Sequence, residues 1–285
     1  MTASPSSPPR AGIIGWPVGH SRSPLIHGFW LRHYGLAGSY DRYAVPPERI
    51  EAFFSDFAAQ GLVGANVTIP HKEVAFRLCK TVDAAAAALG AVNTVWLDED
   101  GRLCGGNTDG FGFLANLDAE APGWDRKGGP AVVLGAGGAS RAIVWGLKQR
   151  GFSPVHVVNR TKARADDLVE AFGAPLLAHG WDALPALLGE AALLVNTTSL
   201  GMAGQPALEV DLAPLPAAAL VTDIVYVPLE TPLLAAARAR GLNTVDGLGM
   251  LLHQAVPGFE RWFGTRPVGA SELRQHVIAD LERAS

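Results

Sequence analysis

Cysteine is nearly absent: Cys79 and Cys104 are the only two among 285 residues. They form neither a C-x-x-C pair nor a metal-ligand spacing, which argues against a disulfide framework and fits a reduced compartment. Basic charge is not in excess either, with 23 Lys and Arg against 27 Asp and Glu and a net charge of −4. Without an electropositive footprint, nucleic acid and anionic membrane surfaces are not expected partners. Long apolar runs are missing too, and the start MTASPSSPPR lacks the apolar core of a secretory leader. Residues 1–10 are therefore expected to be a disordered tail, and the protein cytoplasmic. The eight histidines are scattered, and His27 and His33 stand six apart. Helical ligands rarely use that spacing, so no metal is expected.

What is present describes a globular protein with a sizeable core: 48% of residues are hydrophobic and 18% charged. The length suits two domains. From Ala11, apolar AGIIG, helical SPLIHGFWLRHYG, alternating SYDRYAV, helical PERIEAFFSDFAAQG and apolar GANVTI follow one another. That βαβαβ order predicts a parallel sheet whose faces are covered by helices. Ser23, before Pro24, is a plausible helix N-cap, and Pro70 is expected to end the third strand. AVNTVWL and GRLCGGN, joined by DEDG, read as a hairpin adding antiparallel strands. After the connector APGWDRKGGP a second α/β series begins, running through VHVVNRT, KARADDLVEAF, ALLVNTTS, LVTDIVY and TPLLAAARARG. Two helices close the chain, and pattern alone does not assign them to either domain.

GAGGAS, Gly135 to Ser140, follows the strand AVVL and opens a helix. That context is what a dinucleotide fingerprint requires, since the glycines let a pyrophosphate approach helix N-terminal N–H groups. Ser140 stands at the third glycine position, so the match is a variant. The alternative is a glycine-rich turn with no ligand. Some twenty-five residues on, where an NAD enzyme carries an acid for the ribose, this chain has NRTKAR. Arg160, with Lys162 and Arg164 behind it, suits a 2′-phosphate and favours NADP. Solvated charges on a helix's first turn are the plain alternative.

In the first half, uncharged polar residues recur at expected strand ends, where open α/β sheets bind ligands. They are Ser21, Ser23, Asn66, Thr68 and Asn93, accompanied by Lys72 and Asp109. Each has an ordinary use in a cap, strand or turn. Together they offer hydroxyl, amide, ammonium and carboxylate groups suited to a small polyhydroxylated acid. A lysine beside an aspartate can handle one proton at a carbonyl or alcohol during hydride transfer.

The segments GWPVGHSRSPLIH, GANVTIPHKE, GAVNTV, GNTDGFG, VLGAGGASRA, NRTKAR, NTTSLGM, DIVYVPLETPLL and DGLGMLLHQA, spread from Gly15 to Gln254, resemble the shikimate dehydrogenase family. The resemblance implies an α/β fold: a substrate domain with a mostly parallel sheet and a Rossmann-type doubly wound NADP domain, with the closing helices returning to the substrate domain. The expected extents are 11–110 with 246–285 for the first and 111–245 for the second. It also implies NADPH-dependent reduction of 3-dehydroshikimate to shikimate, on the route to chorismate and aromatic amino acids, by a monomer or homodimer. Lys72 and Asp109 become the catalytic pair. Ser21 and Ser23 would hold the substrate carboxylate, Asn66, Thr68, Asn93 and Gln254 its hydroxyls, with Tyr226 nearby. Gly135, Ala136, Gly137, Gly138 and Ala139 would hold the pyrophosphate, and Asn159, Arg160, Thr161 and Arg164 the adenosine phosphate end. Ile224, Gly247 and Met250 would complete the cofactor site. Trp16 and Gly28 depart from the family's usual asparagines. Two other readings are an NAD-linked quinate/shikimate dehydrogenase, which Ser21, Ser23 and Arg160 oppose, and a non-catalytic sensor on the same fold.

Overall fold

The computed structural model describes residues 7–126, 128–268 and 270–284. Of the expected tail, residues 1–6 lie outside the described residues, and Arg10 already belongs to the first strand. The chain divides into two compact units. One runs to Thr108 and resumes at Gln254; the other is Asp109–His253.

The first unit contains β1 (Arg10–Gly15), α1 (Ser23–His33), β2 (Ser39–Ala44), α2 (Ile50–Ser55), β3 (Leu62–Val67), α3 (Lys72–Leu78), β4 (Thr81–Val82), α4 (Ala84–Leu89), β5 (Thr94–Leu97) and β6 (Leu103–Gly106). Its sheet runs β2-β1-β3-β5-β6-β4. β1 pairs in parallel with β2 and β3, whereas β5 is antiparallel to both β3 and β6, as the hairpin reading requires. The core between helices and sheet gathers Ile14, Ile50, Phe54, Phe57, Leu62, Val67, Val92 and Val95. A second, aromatic cluster joins His27, Trp30, Tyr40, Phe259 and Trp262.

Three local expectations change. Ser23 is not the cap of α1 but its first helical residue, and Arg22 stands at the cap position. β3 stops at Val67, three residues before Pro70, although the Thr68 N–H still donates to the Ile14 carbonyl and the Ile69 carbonyl accepts from the Trp16 N–H. The helix expected over PERIEAFFSDFAAQG shrinks to a 3-10 turn, Pro47–Arg49, and the six-residue α2, followed by turns.

The second unit contains α5 (Asp109–Glu120), β7 (Ala131–Leu134), α6 (Gly138–Gln149), β8 (Val155–Val158), α7 (Lys162–Phe172), β9 (Leu176–His179), α8 (Leu184–Leu188), β10 (Leu193–Asn196), β11 (Leu220–Asp223), α9 (Pro232–Ala239) and β12 (Asn243–Val245). α10 (Leu248–Phe263) begins here and passes into the first unit, which also holds α11 (Ala270–Ala284). All strands are parallel in the order β12-β11-β10-β7-β8-β9. This is a doubly wound sheet, and its order reverses between β7 and β10. The central strands are apolar on both faces, as helices on each side demand: β7 is AVVL and β10 LLVN, with every residue buried. Phe113, Leu147 and Phe152 fill one face and Leu184, Leu188 and Leu234 the other.

Candidate active site

Lys72 is the first residue of α3, at the positive end of the helix dipole, where a cation gains nothing from its helix. Its place is fixed from both sides. His71 is buried and its Nε2 donates to the Val45 carbonyl at 2.7 Å, while the Lys72 carbonyl accepts from the Val92 N–H at 2.9 Å. The His71 N–H in turn donates to the Thr68 carbonyl at 2.9 Å, which links Thr68 to the start of α3.

Ser21 and Ser23 meet directly: the Ser23 N–H donates to Ser21 Oγ at 3.3 Å. Their loop is tied down by Arg42, which donates to the Ser21 carbonyl at 2.7 Å, and by the Arg22–Asp280 pair at 3.3 Å. Asn66 and Asn93 are also brought together. β3 and β5 place Asn66 opposite Thr94, and Asn66 Nδ2 donates to Thr94 Oγ1 at 3.2 Å and to the Asn93 carbonyl at 3.3 Å. Asn93 Oδ1 accepts from Thr94 Oγ1, the Thr108 N–H and Thr108 Oγ1 at 2.9, 3.0 and 3.2 Å. Gln254 lies on α10 in the same unit.

In the second unit the glycine turn sits where the sheet order reverses, between β7 and α6. Gly135 has φ +105°, and a Cβ there would stand 2.8 Å from Thr197 Oγ1, so only glycine fits. Added Cβ atoms at Gly137 and Gly138 would meet nothing within 4 Å. The variant third position has its own use. Ser140 is fully buried, its Oγ accepts from the Gly137 N–H at 3.0 Å and bonds Thr197 Oγ1 at 2.7 Å, and Thr197 Oγ1 donates to the Leu134 carbonyl at 2.7 Å. The hydroxyl therefore braces the turn that a third glycine would only leave room for.

Asn159, Arg160 and Thr161 form the turn between β8 and α7, with Asn159 Nδ2 donating to the Thr161 carbonyl at 2.8 Å. Lys162 is paired with Asp166 at 2.5 Å, whereas Arg160 and Arg164 are exposed and have no acidic partner among the described residues. Ile224 and Tyr226 follow β11, and Gly247 is pressed on Ile224, whose carbonyl oxygen would lie 2.4 Å from a Cβ. Met250, on the first turn of α10, packs against the core beside α5. Asp109 is the first residue of α5, the end of a helix that suits a carboxylate.

The sequence reading passed over several residues that build these sites. Asp223 is fully buried: Oδ1 accepts from Asn196 Nδ2 and the Val225 N–H, and Oδ2 from Thr231 Oγ1. Desolvation pushes its carboxyl up to about 6 despite these bonds. It anchors the segment carrying Ile224 and Tyr226, and its only sequence signal is an acid at the end of an apolar strand. Tyr40 is buried and donates to Asn66 Oδ1 at 2.6 Å. His27 stacks on Tyr40 at 4.0 Å with rings 9° apart, and burial drives its imidazole down to about 3, so it is neutral.

Family models match along the chain: the shikimate dehydrogenase substrate binding domain over residues 13–95, shikimate/quinate 5-dehydrogenase over 120–209 and the shikimate 5'-dehydrogenase C-terminal domain over 247–277. A shikimate dehydrogenase (NADP(+)) of Azorhizobium caulinodans is 60% identical over 272 residues, 95% of this chain and 96% of that protein. Among solved structures, a shikimate 5-dehydrogenase of Thermus thermophilus in complex with NADP(H) and shikimate is 37% identical with a TM-score of 0.82, covering 97% of this chain and 100% of that one. A quinate dehydrogenase of Corynebacterium glutamicum in complex with NAD is 30% identical with a TM-score of 0.87, covering 96% of this chain and all of that one. With both units, the glycine turn and the Lys72 segment falling inside these matches, the chain belongs to the shikimate dehydrogenase family.

Proposed function

We propose that the chain is an NADP-dependent shikimate dehydrogenase, reversibly reducing 3-dehydroshikimate to shikimate on the route to chorismate and aromatic amino acids, in the cytoplasm. The observation that carries this reading is the 60% identity, over 95% of the chain, to an NADP(+)-linked shikimate dehydrogenase. The residues of the second unit fit the cofactor. The turn at Gly137 and Gly138 leaves open space above helix N–H groups, and Arg160 and Arg164 offer guanidinium forks that no acid occupies among the described residues. When bound, NADPH supplies the hydride.

The chain's own residues divide the remaining work. Reduction turns a carbonyl oxygen into an alkoxide, and the Lys72 ammonium stabilises that charge and gives the oxygen its proton. Asp109 orients the ammonium and balances its charge. Ser21 and Ser23 hold the substrate carboxylate, Asn66, Thr68, Asn93 and Gln254 its hydroxyls, and Tyr226 approaches the ring. Fixed in advance by their own hydrogen bonds, Asn66 and Asn93 spare the reaction the entropy of gathering them.

Steady-state rates with shikimate and quinate, each with NADP+ and NAD+, test the reading. The highest kcat/KM is expected for shikimate with NADP+. A preference for quinate with NAD+ would reassign the chain to the quinate-linked branch. No turnover with any pair would leave a ligand sensor.

A further inference from the structure

Asn66 and Asn93 carry amides, and an amide is useful to a ligand only if its oxygen and nitrogen face the right way. Backbone groups decide the sense of both. The Asn93 carbonyl can only accept, so Asn66 must turn Nδ2 toward it; the Thr108 N–H can only donate, so Asn93 must turn Oδ1 toward it. Two side-chain hydroxyls then lock that arrangement. Tyr40 Oη donates to Asn66 Oδ1 at 2.6 Å. Thr94 Oγ1 accepts from Asn66 Nδ2 at 3.2 Å and passes its single proton to Asn93 Oδ1 at 2.9 Å. Proton directions are thus forced along the chain Tyr40, Asn66, Thr94, Asn93.

Building on the functional reading above, we infer that Tyr40 and Thr94 are positioning residues, whose hydroxyls set the polarity and placement of the two amides that grip the substrate hydroxyls. The surroundings suit the task. Thr94 is buried, and the Tyr40 ring is held by the His27 stack on one side with Trp262 tilted at 6.0 Å. Burial keeps the phenol protonated, with Ser23 also within its hydrogen-bonding reach. The relay ends on Thr108, the residue before Asp109, so it also fixes the backbone from which that carboxylate leaves.

The test compares Tyr40→Phe, Thr94→Val and Thr94→Ser with the unmodified protein, reading kcat, KM for shikimate, KM for NADP+ and the melting temperature. Tyr40→Phe and Thr94→Val keep the shape and remove the hydroxyl. Each is expected to raise KM for shikimate about tenfold, the loss of about one buried hydrogen bond, with KM for NADP+ within about twofold. Thr94→Ser restores the hydroxyl and is expected to return KM for shikimate to near its original value. Hydroxyl removal that leaves KM for shikimate unchanged would overturn the inference. So would a parallel rise in both KM values, or Thr94→Ser behaving like Thr94→Val, since a general loss of structure would produce those patterns. If Tyr40→Phe fails to fold, the two Thr94 variants decide alone. An unmodified protein without shikimate turnover overturns the functional reading and this inference together, whereas an active one with indifferent variants overturns only the inference.

Discussion

Lys72 occupies the end of a helix that offers a cation no electrostatic gain, yet its backbone is pinned through His71 and Val92. Replacing it by alanine is expected to lower kcat by roughly 10²-fold or more with a smaller change in KM, the signature of a group acting in the transition state. Near-full turnover would remove it from the mechanism. Arg160→Ala is expected to weaken NADP+ and leave NAD+ nearly untouched, measured as the ratio of the two kcat/KM values. Asp223 yields a pH prediction. Its folded pKa, about 6, lies above the ordinary 3.8, so between those values the folded protein binds the proton more tightly than the unfolded chain. Its contribution therefore favours the fold in acid and is withdrawn as pH rises through that window, at a cost of about 3 kcal/mol by neutral pH. Asp223→Asn is expected to gain on the parent by up to that amount between about pH 4 and pH 7 in urea unfolding. An unchanged difference across the window would mean that the carboxyl is not perturbed. Lys72, Arg160 and the two asparagines stood out in the sequence only as a set: each alone has an ordinary use in a cap, strand or turn, and it is their recurrence at strand ends within the family segments that singled them out. Tyr40, Thr94 and Asp223 did not, since their importance lies in what they touch across the sheet, and SYDRYAV or LVTDIVY reads as ordinary strand.

At the scale of elements, two close approaches explain which helices pack where. Trp262 on α10 donates from Nε1 to the Val95 carbonyl at 3.1 Å, and it can do so because Gly64 on β3 has no side chain: a Cβ would fall 1.9 Å from that nitrogen. Gly64→Ala is expected to destabilise the first unit by about 2–4 kcal/mol, the range for forced overpacking with a lost buried bond. A midpoint unchanged in urea would show that the indole can move aside. In the first turn of the same helix, Gly249 lies against Asn116, whose Oδ1 would be 1.8 Å from a Cβ and whose Nδ2 donates to the Asp246 carbonyl at 2.7 Å. Elements with a strong local period, such as α5 and the β7–α6 turn, were readable as written. The short edge strands β9 and β12 were not, because LLAH and NTV form strands only by pairing with β8 and β11. The helix expected after Pro47 was overextended for a related reason: its phenylalanine stripe satisfies the core within two turns, with Phe54 and Phe57 already buried.

For the molecule as a whole, each unit has its own core, and the functional reading gives each its own ligand. Hydrogen exchange is expected to show NADP+ slowing amides around Gly137–Ser140, and shikimate slowing those of β3 and the start of α3. At a hundredfold excess over its Kd, NADP+ is expected to stabilise the fold by about 2.7 kcal/mol. Identical protection maps for the two ligands would contradict the division of roles. Synthesis order adds a consequence of the contact between Trp262 and Gly64. The ribosome delivers β1 to β6 first, then all of the second unit, and only afterwards the stretch from Gln254 that seats Trp262 on Val95, 167 positions earlier. Until that stretch emerges, the aromatic floor formed by Tyr40 and His27 lacks its covering indole. The later-encoded unit can thus mature on the nascent chain while the earlier one waits. During that interval the exposed floor is what a chaperone would hold and what would aggregate.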